Sequence, residues 1–433
     1  MSIAAIQLYD TEIGAVTWDA ERELGIFEYD AAFLRSGIEV SPLHLPLRAG
    51  VFSFPGLSRA TFKGLPGLLA DSLPDKFGNL LINQWLTRQG RTADSFNPVE
   101  RLCYLGSRAM GGLEFRPMLL EESPSERLDL EELVTLANEA LTHREALHAN
   151  LEESQAALAT ILRIGTSAGG ARAKAVIAWN PKTREIRSGQ LKPMKGFESW
   201  LIKFDGVSEN RDRELNDPLG YGRIEYAYHL MARAAGITMS DCRLFEENGR
   251  AHFMTRRFDR GPQGEKFHLQ TLCAMAHFDF NEAGAYSYEQ AFQIARRLNL
   301  PQPEITELYR RALFNILSRN QDDHTKNLSF MMRRDGTWRL APAYDLIYAY
   351  NPSGAWTHRH QMSLSGKRTD FSTEDLLEAG IAADLKPAKA KEVLHQVHAA
   401  VNRWPEFAEI AGVPATWIEE IKRNLRLLLV GQS

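Results

Sequence analysis

The run Asn320-Gln-Asp-Asp-His-Thr-Lys-Asn327, followed by Pro342-Ala-Tyr-Asp-Leu346, decides how this chain is read. Asp322 stands five residues before Asn327, and Asp345 supplies a second carboxylate further along. A phosphoryl-transfer site uses this spacing for a catalytic Asp, a metal-binding Asn and a metal-binding Asp. Upstream, apolar Ile305, Leu308, Ala312 and Ile316 recur every three or four residues and predict an amphipathic helix over 305–318 that delivers the loop. Downstream, residues 328–332 and 338–341 read as two strands joined through Asp335-Gly336, a hairpin turn signal. A hairpin returns to its origin, so Asn327 at its entrance and Asp345 beyond its exit would face one another across Mg²⁺. Asp322 would accept the proton of an attacking hydroxyl. The plainer alternative is a turn, because Asp, Asn and His are ordinary turn residues.

Two further stretches favour the chemical reading. Residues 161–179, Ile-Leu-Arg-Ile-Gly-Thr-Ser-Ala-Gly-Gly-Ala-Arg-Ala-Lys-Ala-Val-Ile-Ala-Trp, read as strand, glycine-rich loop, strand. No Lys-Ser or Lys-Thr follows the glycines and the next segment is β-prone, so this is not a P-loop. A hairpin covering phosphates fits: Gly165, Gly169 and Gly170 would let backbone N–H groups approach a nucleotide, with Arg172 and Lys174 supplying charge. In Trp200-Leu-Ile-Lys-Phe204 one cation sits in an apolar strand, and a buried ammonium group needs a carboxylate or phosphate partner. Glu225 is a candidate, on a helix predicted over 221–235 by Ile224, Ala227, Leu230, Met231 and Ala234 and ended by Gly236. A strand Lys203 bridged to a helix Glu225 while holding ATP phosphates is the arrangement of protein kinases. The alternatives are an edge lysine and a solvated glutamate.

In order, the loop Ser167-Ala-Gly-Gly-Ala-Arg-Ala-Lys174, Leu201-Ile-Lys-Phe-Asp205, Thr255-Arg-Arg-Phe-Asp-Arg260, the 320–327 loop and Pro342-Ala-Tyr-Asp-Leu346 resemble the HipA family of serine/threonine kinases, toxins of bacterial toxin–antitoxin pairs. Residues 65–78 and Met110-Gly-Gly-Leu-Glu-Phe-Arg-Pro117 are similar to that family's amino-terminal subdomain. The resemblance implies Asp322 as base, Asn327 and Asp345 as Mg²⁺ ligands, and Lys203 on the ATP phosphates. It makes residues 256–259 the adenine-side connector, with backbone near Phe258 at the base and Asp259 at the ribose. Gln270 would also reach the nucleotide, and His324 would orient the loop or approach phosphate. For Arg256, Arg257 and Asp259 the alternative is an ion-pair cluster. The resemblance also implies autophosphorylation of Ser167, with Thr166 adjacent; a phosphate of about −1.5 to −2 charge there would repel the nucleotide or push the loop outward. Ala173 before Lys174 departs from some relatives. The implied substrate is a protein serine, in the aminoacyl-tRNA synthetase class, and the implied partner is a small HipB-like DNA-binding antitoxin that brings the kinase to DNA indirectly. Two other readings stand beside this one: an aminoglycoside-type small-molecule phosphotransferase, which shares the Asp and Asn spacing, and a non-catalytic antitoxin-binding corepressor.

Composition agrees. A chain of 433 residues with 44% hydrophobic and 24% charged residues suits a globular protein, of about two or three structural units. A net charge of −4, from 51 basic and 55 acidic residues, argues against direct nucleic-acid binding. Cys103, Cys242 and Cys273 are far apart without a CxxC pair, which fits a reducing compartment and no zinc site. His358-Arg-His360 reads as loop. No secretory signal or transmembrane run is legible, which predicts a cytoplasmic protein away from the membrane.

The expected fold is α+β: a protein-kinase-like two-lobed domain with a β-rich small lobe and a mainly helical large lobe, preceded by an amino-terminal α/β subdomain. The expected boundaries are 1–120 for that subdomain, 121–158 for an acidic helical connector, and 159–433 for the kinase domain, whose small lobe ends at about 260. Strands are expected over 3–8, 13–18 and 25–29, and a helix over 80–86.

Overall fold

The alternation Ile3-Ala-Ala-Ile-Gln-Leu8 sends Ala4, Ile6 and Leu8 to one side of a strand, and in the computed structural model that side is buried. The structure describes residues 2–74, 76–119, 127–142, 165, 172–189, 194–207 and 219–430. The strand expected over 161–164, the residues Thr166, Ser167, Gly169 and Gly170, and most of the connector lie outside them; of the connector, the helix Leu130–Thr142 is described. The chain groups into two units: residues 1–217, 254–270 and 332–337 form the first, and 218–253, 271–331 and 338–433 the second.

In the first unit, β1 (Ile3–Leu8), β2 (Thr11–Asp19), β3 (Leu24–Tyr29), β4 (Val51–Phe52) and β5 (Leu113–Arg116) form an antiparallel sheet in the order β4-β3-β2-β1-β5. Ile6, Val16, Phe27 and Phe115 are fully buried along it. The helix Pro98–Leu105 packs on β1. A capping box starts that helix: Asn97 accepts the Glu100 N–H and Glu100 accepts the Asn97 N–H. The helix expected over 80–86 begins earlier and runs Lys76–Arg88.

A second group of strands in this unit contains β6 (Lys174–Trp179), β7 (Ile186–Ser188) and β8 (Glu198–Lys203), with β6 central and antiparallel to both. Every residue of β6 is buried, and Trp179 meets Trp200 edge to face at 5.5 Å. The unit's cohesion extends from the amino-terminal sheet to residues 257–266. Arg260 donates to the carbonyls of Gly111 at 2.9 Å and Ala109 at 3.1 Å, and Lys266 pairs with Glu114 at 2.7 Å. Within this compact unit these contacts join residues about 150 positions apart.

The second unit is mainly helical and carries β9 (Cys242–Glu247), the first residues of β10 (Arg250–Arg256), the last residue of β11 (His268–Thr271), most of β12 (Ser329–Met332) and β13 (Trp338–Leu340). Its central helix, Gln302–Leu317, buries Ile305, Leu308, Ala312 and Ile316 and packs against the helices Tyr288–Arg297, Thr373–Ala382 and Pro387–Asn402. Pro301 and Pro303 flank its start, where missing N–H groups cost nothing. It ends at Ser318, and Arg319 adopts a left-handed φ of 61°, turning the chain into the 320–327 loop. That loop closes in a 3-10 turn, Thr325–Asn327, before β12, and Ala341 donates back to the Ser329 carbonyl at 3.0 Å to form the hairpin. The mixed helix and antiparallel-sheet class matches the expectation.

Candidate active site

Asp322, His324, Asn327 and Asp345 all belong to the second unit, where the central helix and the hairpin bring them together. The Asn327 amide donates to the Asp322 carbonyl at 2.7 Å, which ties the two ends of the five-residue spacing and directs its Oδ1 elsewhere. Asp345 sits after the hairpin with a left-handed φ of 52°. Its charge reaches Asp322: burial is the largest influence raising the Asp322 pKa, Asp345 and Asp323 add to it, and His324 and an indole N–H oppose it. The indole belongs to Trp356, whose Nε1–H donates to Asp322 Oδ1 at 2.6 Å, while His324 Nε2 lies 3.8 Å from the same oxygen. Phe280 stands 5.3 Å from the His324 ring, and the Lys326 ammonium lies 4.9 Å above the Phe280 ring.

Asp323, next in the chain, does different work. Its side chain is 1% exposed and accepts three hydrogen bonds: the Tyr288 hydroxyl at 2.7 Å, His360 Nδ1 at 2.8 Å and the Gln361 N–H at 2.7 Å. Burial alone would raise this carboxyl; the His360 contact and the other donors outweigh it and hold the pKa below the usual range. On the far side of the imidazole, Arg426 Nη1 meets His360 Nε2 at 2.7 Å. A guanidinium can only donate, so Nε2 is the acceptor and Nδ1 carries the proton. Burial, with the Arg426 charge behind it, lowers the His360 pKa and keeps the ring neutral. Arg426 also donates to Gln321 Oε1 at 3.0 Å, and Asn315 links Tyr288 to Asn320 through bonds of 2.9 Å. The loop is thus held from the central helix, from residues 360–361 and from the carboxy-terminal segment. Sequence reasoning missed Trp356, His360, Tyr288 and Arg426. His358-Arg-His360 is indeed loop, but a buried histidine in it is structural, a distinction no local pattern makes.

The other expected residues lie mostly in the first unit. Lys203 in β8 is directly opposite Lys174 in β6, and Lys174 is 2% exposed. Two ammonium groups at paired positions require anionic or acceptor partners. Gly165 is held by close packing: a Cβ there would lie 2.8 Å from Leu81 Cδ1 and 3.2 Å from Phe77 Cε1. Phe258 is half-buried, in the segment that lines a cleft of about 340 Å³ through Arg256, Arg257 and Arg260, with Lys182 and Glu198 also in its lining. Asp259 sits in the ion-pair cluster named as the alternative to a ribose contact. Its side chain is 1% exposed and bound by Arg257 at 2.6 Å, Arg260 at 2.8 Å and the Gly111 N–H at 2.8 Å. Burial would raise that carboxyl, but the two guanidinium groups push it far down, and it acts as a buried structural anchor. Gln270 is fully buried, and neither of its amide atoms is hydrogen-bonded to a described residue, an arrangement that calls for a ligand or water. In the second unit, Glu225 is 2% exposed on the helix Tyr221–Ala234 and is not the solvated glutamate of the alternative.

Antiparallel sheets and a mainly helical unit, with an Asp-x-x-x-x-Asn loop and a later Asp brought to it, define an α+β protein. The HipA-like C-terminal domain model matches residues 166–404, and the HipA N-terminal domain model matches residues 4–116. The chain belongs to the HipA family. Among solved structures it resembles HipA in the complex "Toxin Antitoxin System HipA, HipB and its operator DNA" of Shewanella oneidensis MR-1, with a TM-score of 0.70 and 18% identity over 99% of this chain and 97% of the other. A curated relative, "Putative kinase Y4mE" of Sinorhizobium fredii, is 24% identical over 187 residues, 40% of this chain. That match spans 44% of the relative's length.

Proposed function

We propose that this protein is an ATP- and Mg²⁺-dependent serine/threonine protein kinase acting as the toxin of a HipBA-type pair. The observation that carries the reading is the Asp322 carboxylate, oriented on one oxygen by Trp356, with Asn327 bound to its backbone and the Asp345 charge within reach. Asn327 and Asp345 offer the oxygen donors a hard cation takes. When bound, Mg-ATP supplies the phosphoryl group and the cation that neutralises charge developing on it. Asp322 accepts the hydroxyl proton of the substrate, and Asp323 fixes the loop that presents it. The nucleotide roles of Lys203, Lys174, Phe258 and His324 rest on the family resemblance, and for Gln270 the unpaired buried amide supports it.

The partner proposed is a HipB-like antitoxin, through which DNA is reached; the structural relative was solved with HipB and operator DNA. The substrate proposed is a serine of a translation protein of the aminoacyl-tRNA synthetase class, and the self-modification site is Ser167. A cytoplasmic site of action fits, and no described helix is long and apolar enough to cross a membrane. Incubation of a cell extract with labelled ATP and Mg²⁺ tests the reading. The wild type labels a protein band and itself, and Asp322→Asn labels neither. Label appearing only on an added aminoglycoside would overturn it.

A further inference from the structure

Trp356 lies 34 residues beyond Asp322, outside every motif that points to the reaction. Its indole has one donor and no acceptor, and that donor is aimed at Asp322 Oδ1 at 2.6 Å. A carboxylate on a loop rotates about its terminal torsion, which is broad and roughly two-fold. A donor fixed on one oxygen removes that freedom and leaves the other oxygen as the acceptor with a defined direction. The residue is itself held: it is half-buried, its backbone carbonyl accepts from the Gln361 amide at 2.7 Å, and its ring centroid lies 6.5 Å from that of His324. Gln361 in turn donates its backbone N–H to Asp323. One short segment, 356–361, therefore sets both the side chain of Asp322 and, through Asp323, the loop beneath it.

We propose that Trp356 is a positioning residue for phosphoryl transfer, its indole N–H holding the Asp322 carboxylate so that Oδ2 faces the incoming hydroxyl. This rests on the kinase reading. A hydrogen bond from a neutral donor to a carboxylate that must be held in one orientation is worth about tenfold in rate.

The test replaces Trp356 with benzothienylalanine, which keeps the ring shape and substitutes sulfur for the N–H, with 5-fluorotryptophan as the control that keeps the donor. Expected are a fall in kcat of about tenfold for the sulfur analogue, an unchanged KM for ATP, and wild-type kcat for the fluorinated control. In the protein itself, the Trp356 indole N–H resonance, assigned by its loss in Trp356→Phe, should lie downfield and move upfield in Asp322→Ala. An unchanged kcat in the sulfur analogue, with wild-type transfer intact and Asp322→Asn inactive, overturns the positioning role alone. Absence of transfer by the wild type removes the kinase reading and this role with it. An indole resonance insensitive to Asp322→Ala shows that the hydrogen bond does not exist and overturns the role whatever the activity.

Discussion

Replacing Asp323 with Ala should be the most damaging single change in the loop that does not touch the proposed base. The substitution strips the acceptor from three buried donors, the Tyr288 hydroxyl, His360 Nδ1–H and the Gln361 N–H. A buried donor left without a partner costs about 1–3 kcal/mol, but the three will not add fully. The Tyr288 hydroxyl still accepts from Asn315, and His360 is neutral and can tilt toward solvent entering the gap. A sum of these penalties that falls short of additivity gives about 3–5 kcal/mol, and that is the expected loss. It is a large fraction of the roughly 5–15 kcal/mol that holds a domain together. Urea unfolding followed by far-UV circular dichroism measures it, with the midpoint falling and the slope unchanged. A loss below about 1 kcal/mol would mean that Asp323 is not the acceptor for these donors, and the account of how the loop is fixed would fail.

Acid should destabilise the protein well above the carboxylate range. Burial lowers the pKa of His229 to about 4 and of His268 to about 4, and lowers that of His360 as well. The unfolded chain takes up these protons near pH 6.5, so the stability they confer is complete above that pH and falls as pH drops toward 4, by up to about 1.4 kcal/mol per group per pH unit. His360→Gln should flatten part of that slope, and a stability profile level from pH 7 to 5 would contradict it. Gly222→Ala improves helix propensity by about 1 kcal/mol. Yet its Cβ would lie 2.2 Å from the Ala251 carbonyl oxygen, so the helix bearing Glu225 must shift off β10. A net loss of about 1–3 kcal/mol is expected by calorimetry, and a more stable variant would show that the helix does not pack this closely.

What the sequence discloses here is what local periodicity encodes. The helix over 302–317 and the strands over 3–8 and 329–332 follow from apolar spacing, and the Asp322 to Asn327 relation follows from a fixed count along one loop. The helix over 76–88 extends beyond the expected 80–86 because Lys76 to Asn79 carry too little apolar signal to mark its first turn. The partners of the loop were not legible. Trp356, His360 and Arg426 reach it from 34 to about 105 residues away, and nothing near them in sequence names Asp322, Asp323 or Gln321 as the target. The burial of Asp259 was not legible for a related reason: its neighbours Arg257 and Arg260 are visible in sequence, but the contact with Gly111 comes from a residue 148 positions earlier.

In the proposed reaction Asp322 removes the proton of a hydroxyl undergoing phosphorylation, and single-turnover transfer from labelled ATP measures that step. Asp322→Asn should bind Mg-ATP as tightly as the wild type by calorimetry yet transfer phosphate about 10²- to 10⁴-fold more slowly. Equal rates of transfer in the two proteins would contradict the account.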